Sequence, residues 1–382
     1  MRGTGSPAAL VLAGGRSSRA PGFKPLLPLG DSTVLETAVG GLRRAGVGDI
    51  TVVVGHRAAD LLAVLANLPV RTVVNEHYQQ GMFSSVVAGV QALPRETDAF
   101  FLLPADIPLV KSRTIRLLAR AGRKTGADVV YPVFAGRRGH PPLISARLSP
   151  AILAWDGAGG LRSLLERYEV GASEVAVLDE GILLDIDTAA DYQFVGRYAD
   201  RRWPTGGECR QILARLAVPD AVASHGRAVA AVARRLAARL NGAGLSLDED
   251  LVAAAALLHD LAKGRPDHPA RGAKLIERLG YPRVAAIIAV HHDIVFAAGQ
   301  PLDEAAVVHL ADKLVRNDTI VPLEDRFACS REKFADAAAR TAAENRLARA
   351  RLIAAAVEQT LETGLADIIG EAFPLPDGGE KT

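Results

Sequence analysis

Through residue 195 the chain alternates short runs of apolar, often β-branched residues with longer stretches in which apolar positions recur at helical spacing. Residues 8–12, 50–54, 72–74, 99–103, 128–133 and 174–178 are predominantly apolar, and Gly, Pro, Asn or Asp bounds them. A strand covered on both faces needs no polar side, so these runs predict a mostly parallel sheet. Stretches 34–45, 58–66 and 112–124 predict helices between the strands. Strand and helix in alternation imply right-handed crossovers and a Rossmann-like α/β fold.

Near residue 200 the pattern changes. Pro204, Gly206 and Gly207 interrupt any regular element, and 201–208 predicts a linker. Strand signals then vanish. Ala-rich helical spacing recurs over 209–216, 221–240, 248–263, 270–279, 283–291 and 303–314, with a long helix within 331–363. The expectation is a domain over 1–200, an all-α domain over 209–373, and a polar, disordered tail over 374–382.

Charge and cysteine content narrow the partners. With 45 basic and 43 acidic residues the net charge is +2, which gives no general drive toward nucleic acid or anionic membrane. No apolar run approaches the roughly 20 residues that span a bilayer, and residues 1–7 lack the pattern of a secretory leader. The 2 cysteines, Cys209 and Cys329, build no disulfide framework. A cytoplasmic protein without nucleic-acid or membrane partners is expected.

The first strand runs into Leu12-Ala13-Gly14-Gly15-Arg16, followed by Arg19 and Lys24. This spacing is neither a Walker A loop nor a dinucleotide fingerprint. Adjacent glycines after a strand still let backbone N–H groups approach an oxyanion, and the three cations suit a nucleoside triphosphate. Asp106 follows the fourth strand, where open α/β sheets bind ligands, and carboxylates with phosphate oxygens suit Mg²⁺. A strand-like run over 182–186 leads to Asp187, a second candidate carboxylate, although Asp187 or Thr188 also suits a helix cap.

In order, LAGGRSSRAPGFKPLLPLG, NEHYQQGMFSSVVAG, LPADIPLV, GRRGHPPLIS and LDIDTAADY resemble the molybdenum cofactor nucleotidylyltransferases over about residues 7–195, most of all the cytidylyltransferase branch. The resemblance implies that Leu12, Ala13, Gly14, Gly15, Arg16 and Lys24 hold a triphosphate, with Lys24 and Arg16 catalytic. It places Asn75, Gly81 and Ser85 near base and ribose, gives Mg²⁺ to Asp106 and Asp187, and lines the acceptor pocket with His140-Pro141-Pro142. The acceptor would be a phosphorylated small molecule such as molybdopterin, or else a sugar or alcohol phosphate. Three positions depart from the family pattern: Ala20-Pro21 follows Arg19, Ala105 stands where glycine is usual, and Gly14 matches guanylyl rather than cytidylyl enzymes. CTP is favoured, and the base stays open.

The helical half carries His225, the pair His259-Asp260, and Asp312, all on predicted helices. Imidazole and carboxylate from separate helices can close a divalent-metal site in a helical core. This ordered set, with ALLHDLAK and ADK, resembles the HD phosphohydrolase superfamily over about residues 220–330. The resemblance implies one or two metals such as Fe, Mn or Zn, with His268 and His291 as further ligands. Lys263 would orient a phosphate, and Arg316 and Arg326 are weaker candidates for phosphate contact. The competing expectation is a sensor or dimerisation module without turnover.

Overall fold

The computed structural model describes residues 7–16, 22–333 and 337–370. Its contacts divide the chain between Arg201 and Arg202 into two compact units. Arg19 and the expected tail lie outside the described residues.

The first unit is built on a sheet of β1 (Ala8–Ala13), β2 (Ile50–Val54), β3 (Arg71–Val74), β4 (Ala99–Pro104), β5 (Val129–Phe134), β6 (Arg137–Arg138), β7 (Leu143–Ser145) and β8 (Ala172–Ala176). The order is β8-β5-β7-β4-β1-β2-β3, with β6 paired to β5. β1 runs parallel to β2 and β4, and β8 runs parallel to β5. Only β7, set between β4 and β5, and β6 run antiparallel. Neither short strand is expected from the sequence, because two or three residues carry no periodicity.

β1 explains why the central strands are mostly apolar. Ala9, Val11 and Ala13 enter one core, with Leu35 and Leu42 of helix α1 (Val34–Arg44), Leu61 of α2 (Ala58–Leu65) and Leu118 of α4 (Ser112–Thr125). Their alternates Ala8, Leu10 and Leu12 enter a second core on the opposite face. That core includes Val86 of α3 (Met82–Gln91), Ile152 of α5 (Ser149–Ala154) and Leu164 of α6 (Gly160–Glu166). Successive side chains of a strand point to opposite faces, so a strand between two cores is apolar at every position.

The strand expected over 182–186 is instead a 3-10 turn, Glu180–Leu183, followed by extended chain. It joins no ladder. One backbone bond, from Ile186 N to Asp106 O at 3.1 Å, ties it to the end of β4. Helix α7 (Ala189–Asp200) follows, and Thr188 is its cap.

The second unit is helical: α8 (Gly206–Arg215), α9 (Asp220–Gly242), α10 (Glu249–Leu258), α11 (His268–Arg278), α12 (Pro282–Val290), α13 (Glu304–Lys313), α14 (Leu323–Lys333), α15 (Ala337–Leu361) and α16 (Leu365–Gly370). A two-stranded ribbon, Val315–Arg316 with Thr319–Ile320, is an exception to the all-α expectation. Helix α8 begins inside the expected linker, because Thr205 and Glu208 form a capping box there. The helix expected over 248–263 ends at Leu258. His259 Nδ1 bonds back to Ala256 O at 2.7 Å, and Lys263 N closes a turn onto Asp260 O at 2.8 Å.

Gly55, just after β2, sets the shape of the first unit's loop edge. A Cβ there would lie 2.6 Å from Tyr78 Cβ and 3.1 Å from Gly14 O. Gly55→Ala is therefore expected to destabilise the protein by about 1–3 kcal/mol, as overpacking does. Chemical denaturation checks this, and an unchanged midpoint would mean that the two loops yield freely.

Candidate functional site

In the first unit, Lys24 begins a 3-10 turn, Lys24–Leu26, and its ammonium reaches two carboxylates from distant parts of the chain. Lys24 Nζ lies 3.1 Å from Asp106 Oδ2 and 2.6 Å from Asp187 Oδ1. The Asp187 carboxylate turns this way while the side chains of Thr188 and Asp191 cap α7. Asp191 N donates to Thr188 Oγ1 at 3.2 Å, and Thr188 N to Asp191 Oδ2 at 2.7 Å. Burial works against the Lys24 charge, but its hydrogen bond to Asp187 and the field of Asp106 outweigh burial and raise its pKa.

Lys24 and Asp106 border a cleft of about 510 Å³, whereas Asp187 lies outside its lining and meets it through Lys24. Leu12, Ala13, Gly14, Gly15 and Arg16 line it from the end of β1, and Gly81 and Ser85 from the start of α3. Asn75 does not. It is 4% exposed, and its amide donates to Ser84 Oγ at 2.8 Å and Ser85 Oγ at 2.9 Å while its carbonyl accepts from His77 N at 2.9 Å. Asn75 thus fixes the first turn of α3 from beneath. Tyr78 and Met82, not singled out from the sequence, also line the cleft. Lone aromatic and thioether side chains resemble core residues in a sequence, so nothing marked them.

A second cavity, of about 820 Å³, shares Gly81 and Met82 with the cleft. Phe83, Val86, Tyr131 and Leu165 give it apolar walls, and His140 and Pro142 line it. Of its two lining arginines, Arg138 and Arg162, Arg138 bonds to Glu169, reaches Glu174 at 2.6 Å, and lies 4.3 Å from the Tyr131 ring centroid. His140 Nδ1 is buried without a hydrogen-bond partner, and burial lowers the pKa of the ring, keeping it neutral.

In the second unit five segments bring histidines and aspartates together. His225 lies on α9, His259 and Asp260 just past α10, His268 opens α11, His291 ends α12, and Asp312 lies on α13. His225 Nε2 is 3.1 Å from Asp312 Oδ1, and His268 Nε2 is 3.1 Å from Asp260 Oδ1. His259 Nε2 lies 3.5 Å from a carboxylate oxygen of both Asp260 and Asp312, and His291 Nε2 lies 3.6 Å from Asp260 Oδ1. Two groups have the spacing of a metal site, His225-His259-Asp260 and Asp260-His268-His291, and Asp260 belongs to both.

Backbone contacts set the ring tautomers. The Nδ1 atoms of His225, His259 and His291 meet the carbonyls of Asn317, Ala256 and Ile288 at 2.6, 2.7 and 2.7 Å. Each ring can donate there and leave the Nε2 lone pair facing inward, the arrangement that orients metal-ligating histidines. His259 Nε2 is buried without a partner, a cost that a cation between the two carboxylates would remove. The donor set therefore fits divalent metal. Burial opposes charge on His259, but Asp260 and Asp312 outweigh it and raise the ring to about 10. Burial likewise opposes ionisation of Asp260, yet the facing imidazoles of His259, His268 and His291 hold it far below the usual range.

Lys263 bonds to Asp260 at 2.5 Å and Lys313 to Asp312 at 2.5 Å. Both line a cavity of about 180 Å³ at the cluster, with Arg326 and Arg346. Arg316 is exposed and lies outside that lining. Lys313 directly follows a candidate ligand, a signal the sequence held. Arg346, on a distant helix, had none.

Residues 9–172 match the MobA-like NTP transferase domain, and residues 222–317 match the HD domain. The chain is 28% identical over 185 residues to the molybdenum cofactor cytidylyltransferase of Escherichia coli K12, a match spanning 48% of this chain and 92% of that protein. It is 34% identical over 185 residues to a nicotine blue oxidoreductase of Paenarthrobacter nicotinovorans, spanning 46% and 88%. Identity to a Bacillus mycoides protein named "Probable molybdenum cofactor guanylyltransferase" is 29% over 139 residues, spanning 36% and 66%. The chain is an enzyme of the MobA-like nucleotidyltransferase family, with an HD domain in its helical half.

Proposed function

We propose that the first unit transfers a nucleotidyl group, with CTP favoured, to a phosphorylated acceptor of the molybdopterin class, and that the helical unit hydrolyses a phosphoester. The observation that carries the first part is Lys24 held between Asp106 and Asp187 at the mouth of a glycine-lined cleft. Transfer onto a phosphate brings two polyanions together, so opposing charge is the main requirement. Hydride transfer, which the name of one relative suggests, has no need of that arrangement.

Asp106 and Asp187 would hold Mg²⁺, which supplies neutralisation of the triphosphate when bound. Gly14 and Gly15 present backbone N–H groups to phosphate oxygens, and the first turn of α3 adds its helix N-terminus. Lys24 and Arg16 offset charge on the phosphates. A phosphate nucleophile is already ionised at neutral pH, so the chain need supply no general base. The apolar walls of the adjoining cavity suit a flat heterocycle better than a sugar, and neutral His140 offers it a polar contact.

In the helical unit His225, His259, Asp260 and Asp312 would hold one divalent transition metal, with His268 and His291 adding ligands for a second that shares Asp260. Such metals supply Lewis acidity toward phosphorus and a nucleophile at neutral pH. Lys263 sits to orient a phosphoryl group.

Lys24→Ala and Asp106→Ala are each expected to cut pyrophosphate release from CTP and molybdopterin by about a thousandfold or more, with metal content of the helical unit kept. A screen of the four triphosphates against molybdopterin, sugar phosphates and alcohol phosphates checks this. Turnover only with a sugar or alcohol phosphate would reassign the acceptor.

His259 also predicts a pH dependence. Its raised pKa stabilises the metal-free chain fully below 6.5, and that stabilisation is lost as pH rises through about 10. Metal must displace this proton, so affinity should rise about tenfold per pH unit across that interval. Calorimetry in buffers of differing ionisation enthalpy reads the released proton, and a pH-independent affinity would remove His259 from the ligand set.

A further inference from the structure

The helices that follow the matched HD region complete the cavity at its cluster. The match ends at residue 317, whereas Arg326 and Phe327 lie on α14, and Ala343 and Arg346 on α15. Arg326 Nε is buried without a hydrogen-bond partner among the described residues. A buried guanidinium nitrogen left unpaired is costly unless a ligand satisfies it. Arg346 is braced by Asp293, which accepts from Nε at 2.7 Å and Nη2 at 3.0 Å, so its remaining nitrogen can serve a ligand.

Size and charge limit that ligand. A cavity of about 180 Å³ falls below the roughly 300–1,000 Å³ typical of drug-sized ligands. Its apolar lining is Phe327 and Ala343, too little to make a face for a nucleobase. The cations Lys263, Lys313, Arg326 and Arg346 surround it against two lining carboxylates, Asp260 and Asp312. Those carboxylates belong to the candidate ligand set, so bound metal would leave the cations to be matched by the substrate. A monoester dianion leaves charge unmatched. A compact anion with two phosphoryl groups matches it.

We propose that the helical unit takes inorganic pyrophosphate, with one phosphoryl group at the His/Asp cluster and the other against Arg326 and Arg346. This rests on the phosphohydrolase reading of the same cluster. Water oxygen bonds to one phosphorus, the bridging P–O bond breaks, and its electron pair leaves with the second phosphate. The water protons end on the two orthophosphates. Pyrophosphate is also the leaving group of nucleotidyl transfer, so its hydrolysis would make that transfer irreversible.

The test measures orthophosphate released by the full chain loaded with Mn²⁺, from pyrophosphate and, separately, from CMP, GMP and p-nitrophenyl phosphate. Pyrophosphate is expected to be hydrolysed with a kcat/KM about tenfold or more above any monoester. Hydrolysis of monoesters but not pyrophosphate would overturn this substrate and leave the phosphohydrolase reading standing. Release from none of them would overturn both. Arg326→Ala is expected to raise KM for pyrophosphate about tenfold, with metal content and kcat nearly kept, and Arg326→Lys should recover part of the loss. An unchanged KM in Arg326→Ala would contradict the assignment of that arginine.

Discussion

On the proposed reading, the first unit's chemistry depends on one ammonium group held between two carboxylates. Lys24 is separated from Asp106 by 82 residues and from Asp187 by 163, so only the tertiary fold can bring them together. The parallel pairing of β1 with β4 sets the end of β4 beside the loop after β1. The bond from Ile186 N to Asp106 O then carries Asp187 to the same edge. The side chains of Thr188 and Asp191 cap α7, with the Asp187 N–H also donating to Asp191, which leaves the Asp187 carboxylate for Lys24. Each support is local and ordinary. Their sum gathers one cation and two carboxylates at the loop edge of the sheet.

The helical unit solves a similar problem by other means. Its carboxylates are buried, with Asp260 and Asp312 each 6% exposed, so their charge must be compensated within the core. Lys263, Lys313 and the imidazole rings do this, and backbone carbonyls at the ends of α10 and α12 orient two of the rings. His309 extends the support. Its Nδ1 meets the carbonyl of His291 at 2.8 Å and steadies the segment that carries that ring.

The α/β architecture was legible because β1 lies between two cores and is apolar at every position, with its neighbours nearly so. β6 and β7 escaped notice because two or three residues carry no periodicity. The run over 182–186 read as a strand because all but Asp185 are apolar, yet it packs as a loop with two backbone bonds, His140 N to Ile182 O and Ile186 N to Asp106 O, which periodicity cannot separate from a ladder. Lys24, Asp106 and Asp187 were legible through motif order. Asn75 lies behind the cleft wall, bonded to Ser85 which lines it, and a buried amide that braces a helix start looks in sequence like one that touches a ligand. The expected helix through His259 and Lys263 failed for a related reason: the side chain of His259 competes for the carbonyl of Ala256, and propensity takes no account of that.

The central claim is that Asp106 and Asp187 act as one unit on the metal that accompanies the triphosphate. A double-mutant cycle with Asp106→Asn and Asp187→Asn, reading the Mg²⁺-dependent part of CTP affinity by calorimetry, tests it most directly. Shared coordination predicts that either substitution removes most of that dependence and that the pair together removes little more. Additive losses, or Mg²⁺ dependence surviving in the double variant, would contradict it.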